Sequence, residues 1–297
     1  MRLLVTGREG QLARSLAERG PAQDLTVIGT TRGDLDLATA DADAAHALFA
    51  AVRPDAVINA AAYTAVDKAE SEPELAMAIN ARGASAVASA AARLGLPLVH
   101  ISTDYVFAGD RDRPYREDDP TGPTGIYGAS KLAGEAAVRA SGADAAILRT
   151  AWIYSPFGAN FARTMLRLAE SRDEVGVVAD QRGCPTSALD LADAVIAVAR
   201  NLVSQPDAGL RGVFHATGQG EASWADFAEA IFAASAAQGG PSARVRRIAT
   251  ADYPTPARRP ANSRLDGARL AAAHGMRLPA WRDSLDALVA RLLPATA

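Results

Sequence analysis

The sequence has one cysteine, little net charge and no long apolar run. Each of these absences argues against one class of structure or partner. Cys184 is the only cysteine in 297 residues, so no intramolecular disulfide can form, as in most proteins of the reducing cytoplasm. The apolar run after Met1 stops at Gly7, too early for a signal peptide, and no run approaches the roughly 20 residues of a membrane helix. A formal net charge of -3 does not favour nucleic acid or an anionic membrane. We therefore expect a cytoplasmic protein that binds neither nucleic acid nor a membrane.

The composition and the order of apolar runs predict an α/β protein. Hydrophobic residues make up 49% and charged residues 22% of the chain, an ordinary balance for a globular protein with a buried core. Short apolar runs typical of buried strands alternate with helical segments as far as residue 150. The predicted strands cover residues 3–5, 25–28, 54–62, 98–103 and 145–150. This alternation predicts a doubly wound parallel Rossmann sheet.

The pattern becomes less regular after residue 150, which predicts a second, smaller lobe. We expect residues 1–150 to form an NAD(P)-binding domain, to which segments near 180–220 and 258–272 return. Residues 151–297 would form mainly a discontinuous α/β lobe that binds the substrate. Tyr253 to Pro260 must be irregular because it contains three prolines.

The first strand ends in a glycine-rich turn that opens a helix. Gly7, Gly10 and Ala13 have the spacing of a dinucleotide-binding turn. Gly7 would allow the tight turn, Gly10 would let the backbone approach a pyrophosphate, and Ala13 would let the helix pack against the strand. The alternative is an ordinary strand-to-helix turn, but the position after an N-terminal strand favours a dinucleotide site.

The end of the second strand bears on cofactor choice. NAD-selective sites usually carry an acidic residue about 20 residues after the glycines, bonded to the ribose hydroxyls. This sequence has Gly29 there and Arg32 close behind, which favours a 2′-phosphate and hence NADPH, with NADH possible. Alternatively Arg32 is a solvated loop residue, and Asp34 or Asp36 faces the adenosine.

The catalytic candidates lie after the fourth strand. Tyr127 and Lys131 are four residues apart, so a helix over 129–138 extended to Tyr127 would place them on one face. A nearby ammonium would lower the Tyr127 pKa from its ordinary value of about 10, suiting it to protonate an alkoxide. Thr103, at the strand end, could bond the substrate carbonyl. The alternatives are a surface Tyr, a solvated Lys and a Thr that satisfies the backbone. Residues 109–125 are rich in Asp, Arg, Pro and Gly, which predicts a mobile loop before this helix.

These pieces together resemble a known family over nearly the whole chain. The matching segments are Gly10-Gln11-Leu12, 57–70, 100–107, 127–135, Asn160-Phe161, Asp180-Gln181, 253–257 and 262–266. The sequence is similar to the extended short-chain dehydrogenase/reductases, and within them to the dTDP-4-dehydrorhamnose reductase family. The resemblance implies reduction of the 4-keto group of dTDP-4-dehydro-L-rhamnose by NAD(P)H, which gives dTDP-L-rhamnose.

The resemblance also implies residue roles. The residues that match the catalytic ones are Thr103, Tyr127 and Lys131, and Lys131 would also hold the nicotinamide ribose. The residues that match cofactor contacts are Gly10, Gln11 and Leu12 at the pyrophosphate, Asp36 and Leu37 near the adenine, and Ala62, Tyr63 and Thr64 at a strand end. The residues that match substrate contacts are Thr103, Asp104, Trp152 and Asn160. Trp152 would stack on the apolar face of the sugar, unless it packs between the lobes.

Departures from the family pattern leave alternatives open. Ser15 stands where some relatives place a Glu that helps hold a metal at a dimer interface, so we predict no metal and either a monomer or a homodimer. Another reductase or epimerase of nucleotide sugars would show the same Thr103, Tyr127 and Lys131. A related branch regulates a methionine adenosyltransferase without catalysis, although the intact Tyr127 and Lys131 argue against that role.

Overall fold

The computed structural model describes residues 1–293, so the last four residues of the predicted second lobe lie outside it. The strands are β1 (Arg2–Thr6), β2 (Thr26–Gly29), β3 (Ala56–Asn59), β4 (Leu98–Thr103), β5 (Ala145–Thr150), β6 (Ile153–Tyr154), β7 (Glu174–Val178), β8 (Arg182–Gly183), β9 (Thr186–Ser187), β10 (Gly212–His215), β11 (Ala222–Ser223), β12 (Arg244–Ile248) and β13 (Asn262–Ser263). The helices are α1 (Gln11–Arg19), α2 (Ala42–Val52), α3 (Val66–Ala69), α4 (Pro73–Met77), α5 (Ala84–Leu94), α6 (Ile126–Ala140), α7 (Phe161–Ala169), α8 (Ala188–Ser204), α9 (Trp224–Ala237), α10 (Ala268–His274) and α11 (Trp281–Leu292).

A six-stranded parallel sheet organises the chain and confirms the predicted doubly wound fold. Its strand order is β2-β1-β3-β4-β5-β10. Helices α1 and α8 cover one face through residues such as Leu16 and Val195, while α2 and α5 cover the other through Phe49 and Val87. Because both faces are covered, strands such as β3 and β4 are buried at every residue, which explains why apolar residues predominate in them without alternating with exposed polar ones.

The strand order places the ligand site. The direction of winding reverses between β1 and β3, and open α/β sheets bind ligands outside the carboxyl ends of their strands at such a switch point. The turn at Gly7 follows β1, and the small residues 60–62 follow β3. The switch point therefore lies where the sequence predicted a cofactor.

The remaining strands and helices form smaller sheets beside this edge. β7 pairs with β12, β8 lies between β11 and β13, and β6 pairs with β9. A second apolar core joins α7, α9 and α11, with Phe227, Ile231 and Leu285 at its centre. The sequence analysis did not predict β12, since its sequence Arg-Val-Arg-Arg-Ile is charged and it is a strand only because it pairs with β7.

Short helical elements lie between β3 and α5. Residues 63–70 contain α3, and residues 73–94 contain a π-helical segment, Ala78–Gly83. Asn80 lies within the π-helical segment. Its Oδ1 accepts from Tyr63 N, and its Nδ2 donates to Tyr63 O and, at 2.9 Å, to Ser130 Oγ. Such segments occur often near functional sites, and here the segment ties the loop after β3 to α6.

The segment 109–125 is anchored, contrary to the predicted mobile loop. Tyr115 is buried, stacks on Phe107 with 4.3 Å between ring centroids, and its backbone N–H donates to Arg264 O. Arg113 makes two hydrogen bonds to Asp119.

Within residues 1–293, no helix combines the length and apolar character needed to cross a bilayer.

Candidate active site

A cavity of about 930 Å³ runs along the carboxyl edge of the sheet, from the glycine turn to the second lobe. The predicted site residues that line it are Gly7, Gly10, Gln11, Leu12, Arg32, Asp36, Leu37, Ala62, Thr64, Thr103, Asp104, Tyr127, Lys131, Trp152 and Asn160. Tyr63 is the exception, because its side chain turns away and its hydroxyl donates to Glu72 Oε2 at 2.8 Å. A smaller cavity of about 350 Å³ is lined by none of these residues.

The glycine turn leaves space and backbone donors at one end of the cavity. Gly7 has a φ of +81°, which favours glycine, and a Cβ there would lie 3.1 Å from the Ala61 Cβ. Gly10 precedes α1 and supplies no side chain to cap it, so the first N–H groups of the helix remain available to an anion. Ala13 is buried against the sheet. These are the three properties that a pyrophosphate turn requires.

The end of the cavity after β2 contains an arginine, Arg32, without an acidic partner among the described residues. No ion pair or side-chain hydrogen bond among the described residues engages the exposed Arg32. Asp34 is hydrogen-bonded within its own loop. Its carboxylate accepts from the Thr31 N–H and hydroxyl, and these bonds lower the Asp34 pKa. Of the two acids that were alternatives, only Asp36 lines the cavity.

Thr103, Tyr127 and Lys131 meet at the centre of the cavity. Thr103 ends β4, and α6 begins at Ile126, three residues before the predicted start, so Tyr127 and Lys131 lie one turn apart in the same helix. The Lys131 ammonium is buried and donates to Ile101 O at 2.7 Å. Gly128 permits this packing, because a Cβ there would lie 2.2 Å from Tyr105 O.

The electrostatics of the pair contradict the expected lowering of the Tyr127 pKa. Burial raises the Tyr127 pKa to about 12 and the Asp104 charge adds to this, while contact with the Thr103 hydroxyl opposes it. Burial also lowers the Lys131 pKa to about 8, which the Glu135 charge opposes. The ammonium acts on the Ile101 carbonyl, so desolvation of the phenolate dominates. Tyr127 is therefore held as a neutral phenol, the form that donates a proton.

Asp104 offers an open acceptor beside these groups. The Thr103 hydroxyl donates to Asp104 Oδ1 at 2.9 Å, and no described protein group bonds the other carboxylate oxygen, Oδ2. Burial raises the Asp104 pKa to about 6, although the nearby Ser263 and Thr103 hydroxyls oppose the rise. A buried carboxylate with an open oxygen is suited to accept from a substrate hydroxyl.

A family model described as RmlD substrate binding domain matches residues 1–293. The chain belongs to this RmlD family. It is 51% identical over 294 residues to a dTDP-4-dehydrorhamnose reductase of Sinorhizobium fredii, covering 99% of this chain and 98% of that protein. Its structure is similar to that of a dTDP-4-dehydrorhamnose reductase from Clostridium acetobutylicum, with 39% identity, a TM-score of 0.90 and coverage of 98% and 99%. A Bacillus anthracis dTDP-4-dehydrorhamnose reductase in complex with NADP has 36% identity, a TM-score of 0.89 and coverage of 97% and 98%.

Two predicted substrate contacts of this RmlD-family chain are engaged within the protein. The Asn160 amide begins α7, since its Oδ1 accepts from Arg163 N at 3.2 Å and its Nδ2 donates to Ser155 O at 2.9 Å. Trp152 stacks on Trp224, with ring centroids 3.5 Å apart and planes 7° apart. Both residues line the cavity, but neither presents a side chain without protein contacts.

The sequence analysis missed two aromatic residues that line the cavity of this RmlD-family protein, Trp224 and Tyr105. Tyr105 meets Tyr127 edge to face at 5.5 Å. The rarity of Trp, three in 297 residues, is the one signal that could have indicated Trp224.

Among residues 1–293, no group of three or more His, Cys, Asp and Glu side chains could hold a metal ion.

Proposed function

We propose that this protein is an NADPH-dependent dTDP-4-dehydrorhamnose reductase, which reduces the 4-keto group of dTDP-4-dehydro-L-rhamnose to give dTDP-L-rhamnose. The observation that carries the proposal is one continuous cavity, which joins a glycine turn at Gly7 to a proton donor at Tyr127 and an aromatic wall at Trp152. The names of the most similar relatives support the substrate, and the NADP in the Bacillus anthracis structure supports the cofactor.

The residues at the glycine turn fit a nicotinamide dinucleotide. The absence of a Cβ at Gly7 and the uncapped start of α1 leave room and donors for the pyrophosphate. On this proposal residues 1–150, with the segments near 180–220 and 258–272, hold the dinucleotide. Residues 151–297 mainly hold the sugar nucleotide. We place the enzyme in the cytoplasm as a monomer or homodimer, with no metal and no nucleic acid.

The chain's own residues would position and protonate the ketone. A bound nicotinamide dinucleotide supplies the hydride. Tyr127, kept neutral by burial, donates its phenol proton to the oxygen at C4, and Thr103 orients that oxygen. Lys131 would hold the nicotinamide ribose, and Asp104 would accept from a sugar hydroxyl through Oδ2. Trp152 and Asn160 stay predicted substrate contacts.

The decisive assay mixes the purified protein, NADPH and the 4-keto sugar nucleotide generated in situ. We expect loss of nicotinamide absorbance, equal to the amount of dTDP-L-rhamnose that forms. Interconversion of sugars without net NADPH loss, with retained NAD⁺, would instead identify an epimerase. No turnover, together with co-purification of a methionine adenosyltransferase, would identify a regulatory subunit.

Cofactor selectivity is expected to favour NADPH through Arg32. Charge-assisted hydrogen bonds contribute about 1.5–3 kcal/mol, so Arg32→Ala should lower kcat/KM for NADPH by roughly tenfold to hundredfold. The value for NADH should change little, because NADH lacks the 2′-phosphate. Arg172→Ala, at an exposed arginine outside the cavity, is the matched control. A wild-type preference for NADH would contradict this assignment.

A further inference from the structure

Both faces of the Trp152 indole are covered by protein, which changes how a sugar can meet it. Trp224 covers one face at 3.5 Å. On the other side, a Cβ built on Gly183 would lie 2.3 Å from Trp152 Cε2, 2.6 Å from Nε1 and 2.7 Å from Cζ2. A Cβ that approached in the plane of the ring would lie nearer to Nε1 than to Cε2. Because Cε2 is the nearest atom, Gly183 lies over the face of the ring. Trp152 is therefore sandwiched, and the predicted stacking of a sugar on its face has no room.

The backbone holds Trp152 in this position at some cost. Its φ of +47° is unusual for a residue with a side chain, and such residues persist only where their surroundings fix them. Here the Trp152 carbonyl accepts from Thr186 N at 3.1 Å, and the ring is sandwiched between Gly183 and Trp224. The conformation thus depends on Trp224 staying in place.

Gln181 fixes Trp224 from outside the cavity. The Trp224 indole N–H donates to Gln181 Oε1 at 3.2 Å, and Gln181 Nε2 donates to Thr250 Oγ1 at 3.0 Å. Asp180 in turn accepts from the Thr250 hydroxyl at 2.6 Å and from its N–H at 3.0 Å. Gln181 is 5% exposed and does not line the cavity. The pair Asp180-Gln181, to which the sequence analysis gave no role, thereby controls one wall of the cavity.

We propose that Gln181 is a positioning residue for the sugar of the substrate and that it acts through Trp224, which lines the cavity. Trp224 covers Trp152 so that the sugar meets the edge of that indole and Trp224 itself. This rests on the proposed function of the cavity as a sugar-nucleotide site. It assigns part of the substrate selectivity to Gln181, which lies outside the cavity and does not touch the substrate.

The test compares Gln181→Met, which keeps the length of the side chain but removes the acceptor, with Trp224→Phe, which keeps a ring but removes the N–H. A neutral hydrogen bond of this kind supports an increase in KM for the sugar nucleotide of about threefold to tenfold in either variant. KM for NADPH and kcat should stay within about twofold of wild type. Gln238→Met is the matched control, because Gln238 ends the same helix far from Trp152 and bonds only backbone carbonyls.

The double variant decides whether both residues act through one bond. Gln181→Met with Trp224→Phe should raise KM no more than the larger single change, since the second substitution removes a bond already lost. Additive effects, an unchanged KM in both single variants, or equal increases in KM for sugar and NADPH would each overturn the proposal.

A readout without substrate separates this proposal from the proposed function. Closely stacked indoles give a coupled near-ultraviolet circular dichroism signal, which Gln181→Met should weaken and Gln238→Met should leave intact. Failure of the wild type to reduce the sugar would count against the proposed function alone. A wild type that turns over, with the signal unchanged in Gln181→Met, would overturn the positioning role alone.

Discussion

Replacing Tyr127 with phenylalanine is expected to lower kcat by about 10²-fold or more, because the variant keeps the ring but loses the proton donor. Burial holds the Tyr127 pKa at about 12, so the wild-type residue carries its proton at every pH where the enzyme would work. KM for the sugar nucleotide should change much less than kcat, since the hydroxyl acts mainly on the oxygen as it becomes charged. Steady-state kinetics with both substrates varied would measure this.

A matched control is Tyr253→Phe, at a tyrosine that is 60% exposed. It removes the same hydroxyl outside the cavity and should leave kcat unchanged. Turnover of Tyr127→Phe close to that of wild type would remove Tyr127 from its proposed role, provided that the variant folds with an unchanged melting temperature.

Replacing Arg149 with methionine is expected to cause the largest loss of stability, about 3–5 kcal/mol, because it leaves the buried Glu135 carboxylate with only the exposed Arg139, 3.8 Å away, as an ion-pair partner. Arg149 and Glu135 are 2% and 0% exposed and are joined by two hydrogen bonds of 2.8 and 2.7 Å. Ser102 also donates to Glu135, and Phe107 lies under the guanidinium at 4.9 Å. Urea unfolding of the purified variant would measure the change in the free energy of unfolding.

The double variant Glu135→Leu with Arg149→Met should recover much of that loss, since two apolar side chains of similar volume leave no buried charge. Arg93→Met, which breaks an exposed ion pair to Asp43, is the control and should change stability little. A double variant as unstable as Arg149→Met would show that the cost comes from packing and not from the unpaired charge.

The buried pair also affects the active site. Glu135 is on α6 one turn after Lys131, and Arg149 is on β5, so the pair fastens the catalytic helix to the sheet. Arg149→Met should therefore lower activity as well as stability. The double variant should restore stability more fully than activity, because it removes the Glu135 charge that opposes the lowering of the Lys131 pKa.

The sequence predicted the sheet and the meeting of Thr103, Tyr127 and Lys131 in one cavity for a physical reason. Strand ends and glycine turns are local features, so the runs before Gly7 and Thr103 placed both residues at one edge of the sheet. The spacing of Tyr127 and Lys131 needs only a helix to bring them together. These features depend on neighbours in the chain, and the sequence shows those directly.

The remaining features depend on contacts between distant segments. The Tyr127 pKa is raised because the folded protein desolvates the phenol and places the Asp104 charge near it, and spacing alone does not reveal either effect. The sandwich around Trp152 needs Gly183 and Trp224 from separate segments. The same reason hid the pairing of Glu135 with Arg149.

The most direct test of the account follows the hydride. The enzyme would be incubated with NADPH that carries deuterium at the transferable C4 position of the nicotinamide and with dTDP-4-dehydro-L-rhamnose, and the product would be examined by mass spectrometry and NMR. The account predicts dTDP-L-rhamnose with deuterium at C4 of the sugar. A product with ordinary hydrogen at C4, or deuterium at any other position, would contradict it.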